Sequence, residues 1–404
     1  MSDNVATAPH NVQNKPEVIL MNGAWLAQAK ADIASGNPAL RDALSKLLHD
    51  ANSALDNGPF SVVDKTRTPP SGNKHDYMST GSYWWPDPTK KNGLPYIRRD
   101  GETNPESRSD ADDRLRLEQM CKTIETLSLA CYFSIDKKYA ERAIFLLRTW
   151  FLNANTMMNP HLEYGQAIPG LTNGRGIGII DTRFLTTIVD ATGLLAHASA
   201  LTTDDQMGLR KWFKSYLDWL LTSKHGQEEN RAENNHGTWY DAQVVNFALF
   251  VGKKNMAKKV LESAKSRRIA TQIQPDGKQP LELARTRSFD YSTINLTALF
   301  ALARFGEHTG VDLWHYTTPD MKGIHAALDY LIPYADNGKE WPYKQITEIR
   351  RSMLLPLLQQ GKMVYGTRKY LKMISKLPKN DVRGQRCLLL YPISAIQPAA
   401  PKIS

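Results

Sequence analysis

Four side chains in this sequence could together remove a proton from a carbon that lies next to a carboxylate. Asn235 and His236 are adjacent, and Arg285 and Tyr291 follow later in the chain. An amide, an imidazole and a guanidinium can hold a carboxylate by hydrogen bonds and charge, which acidifies the neighbouring C–H and stabilises the anion that forms. A tyrosine can act as the base and can then pass the proton to a leaving oxygen. The four residue types therefore suit β-elimination.

The predicted surroundings of these residues favour this chemistry. Asn235 and His236 begin a predicted helix, where free backbone N–H groups add positive potential. A tyrosine has an ordinary pKa of about 10, so it needs positive neighbours to act as a base. Arg285, Arg287 and His236 could supply them. Structural roles stay open at this point: the Asn-Asn-His segment as a helix cap, the arginines in surface ion pairs, and Tyr291 as a core aromatic.

Other reaction chemistries have less support in the sequence. The histidines and cysteines lack the spacings of a catalytic zinc site, so we predict neither a metal nor a cofactor. There is no Gly-x-Ser-x-Gly elbow and no Walker loop. The open alternatives are a non-catalytic polysaccharide-binding protein and an inverting glycoside hydrolase with paired carboxylates. The hydrolase would draw its carboxylates from Asp181, Glu233, Asp241 and Asp290.

Charge points to a polyanionic partner. The 404 residues include 51 lysines and arginines against 41 acidic residues, a net charge of +10. Such a field speeds the association of a polyanion. Nucleic acid is not favoured, because no helix-turn-helix, zinc-finger or RNP signature is present and the basic residues are scattered. We therefore expect an acidic polysaccharide as the partner. The apolar runs are too short for membrane insertion.

The chain is predicted to hold one domain, from residue 17 to 397, between a flexible segment 1–16 and a tail 398–404. The first sixteen residues lack the basic start and apolar stretch of a signal peptide. Either the protein is cytoplasmic or the native leader is absent from this sequence. If the protein cleaves a polysaccharide, which is too large to enter a cell, we expect periplasmic or secreted action. Cys121, Cys131 and Cys387 are predicted to be buried, reduced thiols.

Apolar residues recur at helical spacing along most of the chain, so the fold class is predicted to be all-α. The predicted helices span 25–35, 38–55, 110–134, 139–152, 182–200, 204–222, 235–252, 256–271, 291–308, 321–335, 346–360 and 369–375. Strand patterns are nearly absent, and 387–391 is one short stretch that could be a strand. Consecutive helices pair as hairpins, which favours an α/α toroid over a short-period repeat array.

Two long irregular stretches interrupt the helices, at 60–104 and 159–181. The first is rich in proline, glycine and aromatic residues, and the second is rich in glycine. Loops of this length are often functional, and the aromatic content argues against disorder. We predict that both line or cover a cleft. The predicted substrate contacts there and nearby are Tyr83, Trp84, Trp85, Arg98, Arg99, Gln166, Arg175, Tyr240 and Arg287.

Several motifs resemble one enzyme family. Residues 234–240, Asn-Asn-His-Gly-Thr-Trp-Tyr, resemble the Asn-Asn-His-x-x-x-Trp/Tyr signature of the alginate-lyase-type polysaccharide lyases of families 5 and 38. Residues 82–88, 95–101 and 174–181 are similar to the family-38 branch. The resemblance runs from about residue 18 to 377. It implies an incomplete α/α toroid of six to seven helical hairpins with a long N-terminal loop over the cleft.

The resemblance also implies roles for single residues. Asn235 and His236 would neutralise the substrate carboxylate together with Arg285, and Tyr291 would be the catalytic base and acid. Arg287 lies two residues from Arg285, so the identity of the catalytic arginine stays open. The implied substrates are β-1,4-linked uronans, either mannuronate-rich alginate or glucuronan. In β-D-mannuronate and β-D-glucuronate the C5 hydrogen and O4 lie on the same ring face, so one residue could perform a syn elimination.

Overall fold

The computed structural model describes residues 15–336, 338–377, 382 and 384–392. The predicted tail 398–404 and nearly all of the predicted N-terminal segment 1–16 lie outside these residues. Within the described part, no helix combines the length and apolar character that a bilayer span requires. Cys121, Cys131 and Cys387 are buried and unpaired, as predicted.

The chain is mainly helical, which confirms the predicted fold class. The α-helices are α1 (Gly23–Ala34), α2 (Pro38–Ala54), α3 (Arg114–Ser134), α4 (Lys137–Leu147), α5 (Leu185–His197), α6 (Thr203–Thr222), α7 (Lys224–Asn230), α8 (Asn235–Phe250), α9 (Lys254–Ala264), α10 (Ala270–Gln272), α11 (Pro280–Leu283), α12 (Ser288–Glu307), α13 (Ile324–Leu331), α14 (Leu355–Tyr365), α15 (Arg368–Ile374) and α16 (Cys387–Leu390). The strands are β1 (Met78–Thr80), β2 (Trp84–Trp85), β3 (Ile97–Arg98) and β4 (Tyr164–Ala167). A 3₁₀ helix spans Gly176–Phe184.

The helices form an inner and an outer layer. Helices α3, α5, α8 and α12 pack against one another in that order, and each is buried over most of its surface. Helices α2 and α4 flank α3, helices α6 and α9 flank α8, and α13 packs against α12 and α14. Outer helices bury one face only, as in α9, where Ala257, Leu261 and Ala264 point inward. Helix α16 contacts α1, α2 and α14, so it joins the two ends of the series. The result is the predicted α/α toroid.

Some boundaries differ from the predicted ones. The predicted helix 346–360 begins only at Leu355, where Pro356 occupies the first turn, because proline is tolerated there and not in a helix interior. The possible strand at 387–391 is instead a single helical turn. The short helices α7 and α11 lie outside the predicted helices, and both matter for the cleft.

The two irregular stretches are joined by strand pairing. Strand β1 runs parallel to β4, with Met78 opposite Tyr164. Strands β2 and β3 form an antiparallel ladder, with Trp84 opposite Arg98. Gly178 lies against Gly165, where a Cβ atom at residue 178 would collide with the backbone of residue 165. This close backbone contact fixes the Gly176–Phe184 helix next to β4 and positions both stretches at one cleft.

Candidate active site

A cavity of about 680 Å³ contains all four candidate catalytic residues: Asn235, His236, Arg285 and Tyr291. Its lining is rich in arginine and, among the described residues, contains no lysine. Arginine binds carboxylates with a planar, two-pronged fork, which a lysine lacks. The lining arginines are Arg98, Arg108, Arg114, Arg175, Arg183, Arg285, Arg287 and Arg350.

Tyr291 lies in the first turn of α12 and is held by two neighbours. Its hydroxyl is 2.6 Å from the hydroxyl of Tyr83. The guanidinium of Arg285 lies over its ring, 3.8 Å from the ring centroid. Burial and the adjacent Tyr83 raise the pKa of Tyr291 well above its ordinary value, and the charge of Arg285 acts in the opposite direction. In the free cleft Tyr291 is therefore a protonated phenol next to a fixed positive charge.

Arg285 is fixed by a carboxylate from the first irregular stretch. Asp100 accepts hydrogen bonds from Nη2 of Arg285 at 2.8 Å and from Nε at 3.3 Å. Burial opposes ionisation of Asp100, but its bonds to Arg285 and Thr286 hold its pKa below the usual range. Arg287 pairs instead with Asp290, through Nε at 3.0 Å. Arg285 is thus the arginine that stacks on Tyr291.

His236 is oriented by a buried glutamate. Its Nδ1 lies 2.7 Å from Oε1 of Glu229, which is 1% exposed. None of the described residues bonds to Nε2, so this nitrogen is free to meet a ligand in the cleft. The turn also needs glycine at the next position, because a Cβ atom on Gly237 would collide with the carbonyl oxygen of Ala232.

Asn235 is held by a second buried glutamate. Glu282 accepts a hydrogen bond from the backbone N–H of Asn235 at 2.6 Å and one from its Nδ2 at 2.8 Å. Asn235 is fully buried, and burial raises the pKa of Glu282. These bonds fix the amide plane, and none of the described residues bonds to the second Nδ2 hydrogen or to Oδ1. Asn234 caps α8 by accepting from the backbone N–H of His236.

Another part of the lining comes from the irregular stretches. Tyr83, Trp84 and Arg98 line the cavity from the β2–β3 region, and Arg175 lies over the Trp84 ring at 5.7 Å. Gln166 has a left-handed backbone conformation, with φ of 49°. Its side chain donates to Asp181 at 2.8 Å and accepts from Arg175 at 3.1 Å. A strained residue whose side chain bridges two charges suits a binding site.

Three predicted substrate contacts lie outside the lining. Trp85 and Arg99 stack on each other, with the guanidinium 5.2 Å from the ring centroid, and the indole N–H donates to the Glu102 carbonyl. Successive strand residues point to opposite faces, so Trp84 and Trp85 cannot both face the cleft. Tyr240 is 4% exposed and donates its hydroxyl to the Leu220 carbonyl. It lies one helical turn beyond His236, inside the core.

The carboxylates considered for a hydrolase do not form a free pair. Asp241 is buried against Arg268 at 2.8 Å and lies outside the cavity lining. Asp181 is also buried and accepts from Ser79 at 2.7 Å. Asp290 lines the cavity but is paired with Arg287. Among the four candidates this leaves Glu233 as the exposed carboxylate in the lining.

Several site residues were missed by the sequence analysis. Glu229 and Glu282 lie on the short helices α7 and α11, and Asp100 lies in the first irregular stretch. Ser223, which caps α7, and Pro280, which begins α11, are signals that could have located these two helices. Glu229 pairs with His236, 7 positions later, and Glu282 pairs with Asn235, 47 positions earlier, and no helical or strand pattern indicates such partners.

An α/α toroid with an arginine-lined cleft around a tyrosine, an amide and an imidazole defines a polysaccharide lyase. The chain belongs to the alginate lyase family, because residues 61–341 match the sequence profile of the family described as Alginate lyase. No curated protein matches the chain. Among solved structures, an alginate lyase from Bacteroides ovatus is 41% identical, with a TM-score of 0.89 over 94% of this chain and 100% of that one.

More distant structures share the fold. Alginate lyase A1-III from Sphingomonas species A1 is 14% identical, with a TM-score of 0.57 over 96% of this chain and 99% of that one. A variant of A1-III complexed with a tetrasaccharide is also 14% identical, with a TM-score of 0.60 over 95% and 99% of the two chains.

Proposed function

We propose that this lyase cleaves β-1,4-linked uronic acid polymers, either mannuronate-rich alginate or glucuronan, by syn β-elimination. The observation that carries the proposal is the position of the Tyr291 hydroxyl, in one cavity with Asn235 and His236 and next to the charge of Arg285. The name of the Bacteroides ovatus relative supports alginate as a substrate. Such polymers are too large to enter a cell, so we place the activity in the periplasm or outside the cell.

The first task of the site is to neutralise the uronate carboxylate. His236 offers Nε2, because Glu229 already occupies Nδ1. With Nδ1–H donating to Glu229, the ring donates from Nε2 to the substrate carboxylate as an imidazolium, which carries a proton on both nitrogens. Asn235 offers its remaining Nδ2 hydrogen, and Arg285 adds positive charge. Fixed donors of this kind stabilise the charge that develops on the carboxylate when the C5 proton leaves. Their orientation is set before the substrate arrives, so little reorganisation is needed during the reaction.

The second task is proton transfer. The Tyr291 oxygen takes the C5 proton while its own hydroxyl proton moves to O4. The C5–H electron pair forms the C4=C5 double bond, and the C4–O4 bond breaks with its electrons on O4. Tyr291 therefore ends as a phenol, the state in which it began. Arg285, by its charge over the ring, lowers the cost of the negative charge that develops on the Tyr291 oxygen during this exchange. Tyr83, at 2.6 Å, can donate a hydrogen bond to the same oxygen.

A single tyrosine in both roles favours a particular substrate stereochemistry. In mannuronate and glucuronate units the C5 hydrogen and O4 share one face of the ring, within reach of one residue. In α-L-guluronate they lie on opposite faces, and a second acid would be needed. We therefore infer a mannuronate or glucuronate unit at the reacting position.

The test is to incubate the protein with polymannuronate, alginate and glucuronan and to follow two signals in parallel. A lyase produces an unsaturated, ultraviolet-absorbing end at each cut, together with a new reducing end. A hydrolase produces reducing ends alone, and a binding protein produces neither. We expect both signals to rise in step on polymannuronate or glucuronan. Reducing ends without absorbance would contradict the elimination and return attention to the carboxylate chemistry.

A further inference from the structure

The arginines of the cleft differ in whether the protein provides them with a carboxylate partner. Arg285 and Arg287 each have one, as described above. Arg114 lies 3.3 Å from Asp181. The remaining paired arginines are Arg98 with Asp100, Arg108 with Glu118, and Arg350 with Asp290. Arg175 and Arg183 have no carboxylate of the described residues within salt-bridge distance.

Arg183 is the less expected of these two unpaired arginines. It lies near the end of the Gly176–Phe184 helix, is partly buried and lines the cavity. Its Nη1 donates to the Ile180 carbonyl at 3.0 Å, and its guanidinium lies 4.0 Å from the centroid of the Phe184 ring. Burial, reinforced by the charge of Arg114, lowers the pKa of Arg183 to about 10.

Several other charges lie near Arg183. Besides Arg114, the charged groups that act on it are Glu118, Asp181 and Arg108. Asp181 already accepts hydrogen bonds from Tyr77, Ser79 and Gln166, and Glu118 is shared by Arg108 and Arg114. Three guanidinium groups therefore gather around two carboxylates that are already engaged.

An unpaired, partly buried cation destabilises a folded protein unless an anion reaches it. Proteins keep such groups where function needs them, at a cost in stability. In this cleft the missing anion would have to enter from the cavity. A uronan carries one carboxylate on every sugar unit, so a second carboxylate accompanies the one at the reaction centre.

We propose that Arg183, with Arg108 and Arg114 beside it, forms a carboxylate-binding subsite for a second uronate unit of the same polymer. The proposal rests on the proposed function, since it takes the ligand to be a polyuronate. Asn235 and His236 hold the carboxylate that reacts, whereas Arg183 holds one that does not. The subsite makes the enzyme select for consecutive uronates over chains in which neutral sugars alternate with uronates.

The subsite is tested by binding in the Tyr291→Phe background, which prevents cleavage. The probes are β-1,4-linked tetramannuronate and tetraglucuronate, with neutral β-1,4-mannotetraose as the uncharged comparison. Adding Arg183→Gln should weaken binding of at least one acidic probe by about tenfold to hundredfold, the range for a charged hydrogen bond, without changing mannotetraose binding. Arg41→Gln, on an exposed face of α2, is the matched control and should leave all affinities unchanged.

Thermal unfolding separates binding from a structural role. Arg183→Gln should leave the melting temperature unchanged or raise it, because it removes an unpaired charge. A lower melting temperature with wild-type affinity for both acidic probes would overturn the subsite. Arg183→Lys keeps the charge without the planar fork and provides a second variant if Arg183→Gln does not fold. It should bind an acidic probe several-fold more weakly, and wild-type affinity would overturn the proposal.

The lyase assay on the wild-type protein decides the proposed function separately. Loss of affinity in the Arg183 variant combined with no unsaturated product would keep the subsite and reject the elimination. Unsaturated product from the wild-type protein with unchanged affinity in the variant would keep the elimination and reject the subsite.

Discussion

Two parts of the cleft differ in whether carboxylates of the protein hold their polar side chains. In the reaction part, made by Asn235, His236, Arg285 and Tyr291, each of the first three is held by a carboxylate of the protein itself. In the binding part, made by Arg175 and Arg183, Arg175 donates, among the described residues, only to the backbone carbonyl oxygen and the side-chain amide oxygen of Gln166. Arg183 likewise donates to a carbonyl.

The difference follows from what each part has to do. Around Tyr291 the donors must stay in fixed positions, because a small displacement removes the stabilisation of the developing charge. Protein carboxylates can hold them there permanently. At Arg175 and Arg183 the anion comes from the polymer, so a protein carboxylate paired with either arginine would compete with it. The neighbouring Arg108 and Arg114 already have carboxylate partners. Burial lowers the pKa of Arg175 to about 10, and the charges of Asp181 and Glu229 offset only part of this effect.

Removing the Tyr291 hydroxyl should give the largest loss of activity. A small loss would contradict the distinction between the reaction part and the binding part. Tyr291→Phe keeps the ring under Arg285 and loses only the proton-carrying atom. We expect kcat to fall by about 10²- to 10⁴-fold or more, as for the loss of general acid–base catalysis. The measurement is the initial rate of ultraviolet absorbance on polymannuronate. A well-folded variant within about tenfold of the wild-type rate would place the base on another residue.

The glutamate behind His236 should matter less than the histidine itself. His236→Ala should lower kcat by about 10²- to 10³-fold, as for the loss of one donor to a developing anion. Glu229→Gln should cost about tenfold to hundredfold, because the amide orients the ring less strongly than a carboxylate. Nitrogen chemical shifts of the His236 imidazole would report a change in its ring state, that is, in which of its ring nitrogens carry protons. Wild-type kinetics with an altered ring state would show that Glu229 only supports the fold.

Asp100 should have a smaller effect that acts through Arg285. Asp100→Asn removes the charge that holds the guanidinium over Tyr291, and we expect kcat to fall by about tenfold. Because Asp100 also contacts Arg98 at 2.8 Å, KM should rise as well. Steady-state kinetics on polymannuronate provides both values. An unchanged kcat would mean that Arg285 keeps its position without Asp100.

The smallest expected effects come from two matched substitutions, one at Arg98 and one at its neighbour Arg99. Arg98 lines the cavity, whereas Arg99 stacks on Trp85 outside it. Arg98→Gln should raise KM by about threefold to fivefold with kcat nearly unchanged, since exposed charge pairs contribute little. Arg99→Gln should leave KM within about twofold. Equal effects of the two changes would show that the β2–β3 ladder presents both faces to the substrate.

The sequence was sufficient to predict the helical toroid, and the four candidate catalytic residues line one cavity, whereas Arg108, Arg114, Arg183 and Arg350 in the lining were not predicted. Helical periodicity is strong over long segments, and Asn235 and His236 stand in a motif that resembles a known family. It could not separate Trp84 from Trp85, because a two-residue strand has no alternating pattern to read. It missed Glu229 and Glu282, because their helices of seven and four residues are too short for periodicity. The predicted start of helix α14, at residue 346, was wrong, because the helix begins only at Leu355, with Pro356 in its first turn.

The central claim is that one part of the cleft carries out the reaction and another binds the substrate. The most direct test measures the dissociation constant and the single-turnover rate of Tyr291→Phe and of Arg175→Gln on the same tetramannuronate. Tyr291→Phe should lose the single-turnover rate and keep the dissociation constant within about twofold of the wild-type value. Arg175→Gln should raise the dissociation constant by about tenfold and keep the rate at saturation. If both variants changed the same quantity, the separation between a reaction part and a binding part would be contradicted.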